Sequence, residues 1–271
     1  MKFNFKKENA SLYTALTIVG LCFILIIGFA IAMCAVYYSG HEITTLDQTT
    51  NINVMLARPA DWKKIQTGKI SLTQEDFALI DGSTATIPIT AELARQFCDA
   101  SDNNIRDYFF HHTTHYAYIN LIYTYGDPDK LRERNYDKKK LIFVTEPSSD
   151  ERTEAKNAGV TLDITPVALD GFVFITHKDN PVDSLTVEQV KQIYSGEITN
   201  WKEVGGNNQK IIPYQRESNS GSQTAMKQLV MKDTPLMDPA EGYRISQMSG
   251  LIEKIASYEN RENSLGYTYY Y

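Results

Sequence analysis

The chain has 271 residues, 42% of them hydrophobic, and a net charge of −6, a composition normal for a globular protein and long enough for two domains. The acidic balance argues against nucleic acid or an anionic membrane surface as a partner. Only three cysteines are present, which excludes a disulfide framework and a cysteine-rich zinc site.

The first predicted element is a membrane anchor. No charged side chain occurs between Asn9 and Gly40, and Leu12 to Tyr38 is nearly all apolar, longer than the roughly 20 residues that span a bilayer. Lys2, Lys6 and Lys7 precede the run. The positive-inside bias therefore places residues 1–10 in the cytoplasm, 11–38 in the membrane and the remainder outside the cell membrane. The run is too long for the core of a cleaved signal peptide, and Met33 fits poorly before Cys34 in a lipoprotein cleavage box. Cys22 and Cys34 belong to this run, which leaves Cys98 as an expected buried small hydrophobe. Residues 39–76 read as a stalk, polar from His41 to Asn53, with short amphipathic pieces at Trp62–Ile65 and Leu72–Phe77.

A strand is predicted at Ala78-Leu79-Ile80. It runs into Asp81-Gly82-Ser83-Thr84-Ala85-Thr86-Ile87-Pro88 and then a helix with Ile89, Leu93 and Phe97 on one face and Pro88 at its start. Ser83, Thr84 and Thr86 are candidate hydroxyl or amide donors at this turn. The turn lacks the lysine of a P-loop and the glycine spacing of a dinucleotide fold. His111, His112 and His115 raise a zinc reading, but there is no HExxH pattern and no carboxylate at helical spacing among them. Thr113 and Thr114 are the more useful donors, at the start of a helix continued by Ala117, Asn120 and Leu121. Lys138-Lys139-Lys140 reads as a solvated turn. Leu141 to Val144 reads as a buried strand that presents Glu146 at its C-terminal end, where open α/β sheets place ligand contacts.

Further strands are predicted at Val160–Thr165 and Gly171–Ile175. Thr186-Val187-Glu188-Gln189 makes a capping box for a helix with Val187, Val190 and Ile193 inward, ending near Gly196. Trp201 and Val204 fill a turn closed by Gly205-Gly206. A strand at Ile211–Tyr214 leads to Arg216-Glu217-Ser218-Asn219-Ser220-Gly221-Ser222-Gln223-Thr224, which has the parts of an anion seat. The amides of a helix start carry partial positive charge, Gly221 lets the backbone approach a ligand, and Ser220 and Ser222 can cap or donate. Arg216 can grip two oxygens at once. A helix is predicted at Ile245–Ile255, with Met248, Leu251 and Ile252 apolar, and a strand at Leu265–Tyr271. Alternating strands and helices argue for an α/β fold, and two such anion seats half the outer chain apart fit two lobes clasping one small ligand.

From about Ile80 to Tyr271 the chain resembles the periplasmic-type substrate-binding proteins of phosphate ABC transporters, which have a two-lobed type II binding-protein fold. The resemblance rests on Asp81 to Thr86, on Phe143-Val144-Thr145-Glu146-Pro147-Ser148, on Tyr194-Ser195-Gly196-Glu197-Ile198-Thr199-Asn200-Trp201, and on Arg216 to Thr224. It implies a first α/β lobe at 77–168 and a second at 169–271 that ends in the hinge strand. Inorganic phosphate would be held by Ser83, Thr84, Thr86, Thr113 or Thr114, Arg216, Ser220, Gly221 and Ser222, with Glu146 accepting the proton of hydrogen phosphate. An ABC transporter permease would be the partner, and no cofactor, metal or catalytic residue is implied. Ser218 replaces an aspartate that pairs with the arginine in many relatives. The fold normally returns to the first lobe after a Gly-Tyr strand. A chain that stops at Tyr271 is therefore expected to be truncated, to be completed by another polypeptide, or to have an incomplete first lobe. The alternative is a non-transport sensory or interaction domain that has kept the fold and lost or altered ligand binding. An enzyme is not expected, because Ser220-Gly221-Ser222 is not a G-x-S-x-G elbow.

Overall fold

Two parallel strands organise the first half of the molecule. The computed structural model describes residues 71–101, 103–105, 111–134, 136–240, 243–245 and 262–270, all within one unit that runs from Ile52 to Tyr271. The expected anchor lies outside these residues, as do the stalk up to 70, Tyr271, and Met248, Leu251, Ile252 and Ile255 of the expected helix. Among the described residues, no helix is long and apolar enough to cross a membrane.

Helix α1 (Gln74–Ala78) opens on a capping box between Thr73 and Asp76 and buries Phe77. It delivers the chain to β1 (Ile80–Gly82), so the strand starts later than the expected Ala78. A 3-10 turn (Thr84–Thr86) passes into α2 (Ile87–Phe97). The deepest face of α2 is Ile87, Ala91 and Ala94, packed with Phe77, Ala100 and Ile105, while Leu93 and Phe97 flank it. Small alanines set the close approach here, a feature that a search for large apolar residues overlooks. Helices α3 (Thr114–Gly126) and α4 (Pro128–Glu133) then return the chain to β2 (Leu141–Phe143). β2 pairs parallel with β1, Ile80 opposite Leu141 and Gly82 opposite Phe143. Such a pair needs a long crossover, which α2 to α4 provide. Helix α5 (Ser149–Asn157) follows, with a Ser148–Glu151 capping box. Tyr118, Ile119, Ile122, Tyr123, Leu131 and Ala155 form the second cluster of this half. Lys139 is buried rather than solvated, because its Nζ donates to the Ala78 carbonyl at 2.9 Å. Residues 160–170 form no strand; Val160 and Leu162 pack on the α3–α5 cluster without pairing.

In the second half, β7 (Ser264–Tyr269) is the central strand. It pairs antiparallel with β3 (Phe172–Thr176) and parallel with β4 (Ile212–Pro213). β5 (Gln215–Arg216) pairs parallel with β6 (Arg244–Ile245), so Ile245 belongs to a strand and not to the start of the expected helix. Helix α6 (Val187–Ser195) has the capping box expected at Thr186 and ends at Gly196, whose φ of 87° suits glycine. Val190, Ile193 and Tyr194 face the core, but Val187, at the first helical position, is exposed. Trp201 starts a 3-10 turn (Trp201–Val204) and donates Nε1–H to the Asn263 carbonyl at 2.9 Å. Helix α7 (Gly221–Ala225) passes directly into a π-helical turn (Met226–Met231). Met226, Val230 and Met231 meet Tyr194, Trp201, Leu265 and Tyr267 in the core of this half.

Candidate functional site

Three chain segments converge at the C-terminal edge of β1 and β2. Ser83 N–H donates to the Phe143 carbonyl at 3.0 Å, which ties the turn after β1 to the end of β2. His111 is buried, with Nδ1 2.7 Å from the Ser83 carbonyl and Nε2 3.1 Å from Thr90 Oγ1. Burial lowers its pKa, with the Ser83 carbonyl opposing. Gly82 is required by this crowding, since a Cβ there would lie 2.5 Å from the Phe143 carbonyl oxygen and 2.6 Å from Thr86 Oγ1. The three histidines take different partners. His112 bonds Asp81 at 2.8 Å and His115 approaches Glu151 at 3.0 Å, so the sequence cluster is not gathered around one point.

From this edge the chain enters α3. Thr113 is exposed and has φ 83°, ψ 163°, a region that glycine occupies and a β-branched residue avoids. Its side chain makes no capping bond, and Thr114 is buried at the first helical position. The first amides of such a helix have no intrahelical acceptor.

Across from them lies the start of α7. Arg216 is buried on β5, with Nε donating to the Ile245 carbonyl at 3.2 Å. Burial draws its pKa below the usual guanidinium value. Ser220 Oγ accepts from Gln223 N–H at 3.2 Å and caps α7, which leaves the hydroxyl hydrogen able to donate. Gln223 Oε1 accepts from Arg216 N–H at 2.9 Å and from the Tyr267 hydroxyl, fixing α7 to β5 and β7. Gly221 meets the first half directly: a Cβ built on it would lie 2.9 Å from both Thr114 Oγ1 and Thr145 Oγ1. Two hydrogen bonds flank this contact. Asn219 Nδ2 donates to Asp150 Oδ2 at 3.0 Å, and Gln228 Nε2 donates to the Pro147 carbonyl at 3.2 Å.

The structure thus brings Thr114, Ser220 and Gly221 together. Ser83 reaches the same edge through Phe143, with Thr84 next to it in the turn. Ser222 is buried one residue into α7. Two of the expected contact residues are engaged elsewhere in this structure. Thr86 Oγ1 lies 2.8 Å from the carbonyls of both Ser83 and Phe143 and shares its one hydrogen between them, so its hydroxyl holds the turn closed. Glu146 is exposed and pairs with Arg152 at 2.6 Å. In the loop after β2, Thr145 meets Gly221 while Glu146 faces solvent, where Arg152 on α5 pairs with its carboxylate. Thr145 is the residue that sequence reasoning missed. Its carbonyl is fixed by the Tyr118 hydroxyl at 2.6 Å. Its buried Oγ1 has no well-formed hydrogen bond among the described residues, although the Tyr269 hydroxyl is near enough to feel it. Ser83 Oγ is likewise buried without a hydrogen-bond partner among them. A buried hydroxyl left unpaired is costly.

Residues 142–270 match the family model for the PBP superfamily domain. The chain is 40% identical over 67 residues to the phosphate-binding protein PstS of Borreliella burgdorferi, covering 25% of this chain and 24% of that protein. It is 30% identical over 101 residues to PstS of Bacillus subtilis, covering 37% of this chain and 32% of that one. The matched parts thus span about a quarter to a third of these relatives' lengths. A solved structure of a putative phosphate ABC transporter substrate-binding protein with bound phosphate from Clostridium perfringens aligns at 25% identity. That alignment covers 56% of this chain and 67% of that one, with a TM-score of 0.39. The family model over residues 142–270 and the two PstS relatives agree with the resemblance read from the sequence motifs.

Proposed function

We propose that the gap between the start of α7 and the C-terminal edge of β1–β2 binds inorganic phosphate. In this reading the protein is a membrane-anchored, extracytoplasmic, non-enzymatic receptor of an ABC-type phosphate uptake system. Residues 77–168 and 169–271 are the two lobes, which close over the anion in hinge fashion, and the uncharged run at 11–38 is the tether. The observation that carries the proposal is the meeting of Gly221 with Thr114 and Thr145, which sets the dipolar start of α7 against hydroxyls of the other lobe. Phosphate-binding relatives and the buried, permanently charged Arg216 support it.

The donors are the Ser83, Thr114, Thr145, Ser220 and Ser222 hydroxyls, the amides near Thr84, Thr113 and Gly221, and the Arg216 guanidinium. They replace the water lost on closure with fixed, charge-assisted hydrogen bonds. The exposed Glu146 stays outside this set, so hydroxyl and amide donors carry recognition. Calorimetry on the purified full chain tests the reading. Phosphate binds the wild type and Arg216→Gln loses at least about tenfold, a charge-assisted contact being worth roughly 1.5–3 kcal/mol. Absence of phosphate binding by a wild type that melts cooperatively overturns the reading and favours the non-transport domain.

A further inference from the structure

One buried carboxylate beside the gap has no part in the anion contacts. Asp81, at the centre of β1, has no exposed surface, and its two oxygens take up four hydrogen bonds. Oδ1 accepts from Gly82 N–H at 2.7 Å and from His112 N–H at 2.9 Å. Oδ2 faces His112 Nδ1 at 2.8 Å and Asn120 Nδ2 at 3.3 Å. Burial alone would raise the carboxyl's pKa, but the bonds and charge from His112 outweigh it, and the net shift is downward. The ionised carboxylate therefore joins β1 to the loop that enters α3 and to the second turn of that helix. The other face of the imidazole is closed by Asp137, whose Oδ2 lies 3.4 Å from His112 Nε2 and 3.9 Å from Lys139 Nζ.

The residue after this clamp is Thr113, in its glycine-type conformation and without a side-chain cap. A strained residue persists only where its surroundings over-determine it. Here Asp81 holds the chain on both sides, at His112 before the turn and at Asn120 beyond it. If that hold were released, Thr113 would relax towards negative φ. Thr114 and the first amides of α3 would then swing away from Gly221.

We propose that Asp81 is a positioning residue for the anion gap: through His112 it holds Thr113 in its strained turn and so aims Thr114 and the start of α3 at the ligand. The inference rests on the phosphate reading, and its test separates the two. Phosphate affinity by calorimetry and amide exchange over residues 112–116 are measured on the full-length wild type, Asp81→Asn, Thr113→Gly and the double variant. Asparagine keeps the size of Asp81 but weakens its hold on His112. Asp81→Asn is expected to raise the phosphate Kd about tenfold and to speed exchange over 112–116. Glycine takes the Thr113 conformation without strain, so the double variant returns to within about threefold of the Thr113→Gly affinity. An unchanged Kd in Asp81→Asn, or a double variant as weak as Asp81→Asn, overturns the proposal. If Asp81→Asn loses its cooperative melt, His112→Phe takes its place with the same expected loss and the same glycine rescue. If the wild type binds no phosphate, the phosphate reading falls, and unaltered exchange over 112–116 in Asp81→Asn still overturns the clamp.

Discussion

Replacing Gly221 by alanine perturbs the contact on which the proposed function depends. An ideal Cβ there stands 2.9 Å from two hydroxyl oxygens and 3.6 Å from Thr145 Cγ2, where ordinary contacts start near 3.4 Å. Thr114 and Thr145 must therefore each withdraw by about half an ångström. Both belong to the first half of the molecule and Gly221 to the second, so the simplest relief is a wider separation there. Overpacking of this kind costs about 1–3 kcal/mol. Alanine's better helix propensity returns at most about 1 kcal/mol. Under the proposed hinge closure the cost falls on the closed arrangement, so it transfers to ligand affinity. The expected effect on Gly221→Ala is a phosphate Kd raised about tenfold, read by calorimetry, with a cooperative melt retained in the absence of phosphate. A Kd within twofold of wild type would show that Gly221 does not face Thr114 and Thr145 in the bound state, and the argument from this contact would fail.

Glu146→Gln is expected to leave phosphate affinity within about twofold, since an exposed ion pair contributes little; a tenfold loss would return Glu146 to the anion. Asn219→Ala removes a hydrogen bond to Asp150 that joins the two halves and, under the proposed closure, forms as they meet. Stopped-flow release of phosphate should accelerate about two- to fivefold with the on-rate unchanged, and an unaltered off-rate counts against a role in closure. Stability should fall on acidification in two stages. His111 is buried with a lowered pKa, so below about 6.5 the unfolded state binds a proton that the folded state resists, and stability declines until the lowered value is passed. Asp81 has a lowered carboxyl pKa, so its contribution is present above about 3.8 and is lost as pH falls through the folded value. Urea midpoints from pH 8 to 3 should show both declines, and His111→Gln should flatten the first; an identical upper limb would remove His111 as its cause.

The parts of the molecule legible in the sequence are those whose cause is local. The Thr186 capping box, the left-handed Gly196 and the serine start of α7 each depend on residues within a few positions, and each is found where expected. Errors arose where the deciding partner is distant. Lys139 is buried because the Ala78 carbonyl, 61 residues away, accepts a hydrogen bond from its Nζ. Thr86 faces inward because the Phe143 carbonyl, 57 residues away, takes its hydroxyl. The apolar pattern of Val160–Thr165 suggested a strand, but pairing needs a neighbour that a pattern cannot provide. Glu146 pairs with Arg152 and Thr145 beside it meets Gly221, a division made in the loop after β2 by partners that a local pattern does not show. Thr145 lies within a motif of the resemblance but carries no charge to single it out, and the approach of Gly221 reveals its place.

Anomalous diffraction from arsenate, a tetrahedral stand-in for phosphate, locates the anion directly in crystals of the protein. The account predicts one arsenic peak between the start of α7 and the ends of β1 and β2, with its oxygens about 3 Å from Thr114, Thr145 and the Arg216 guanidinium. A fully occupied peak elsewhere on the molecule, with that gap empty, would contradict it.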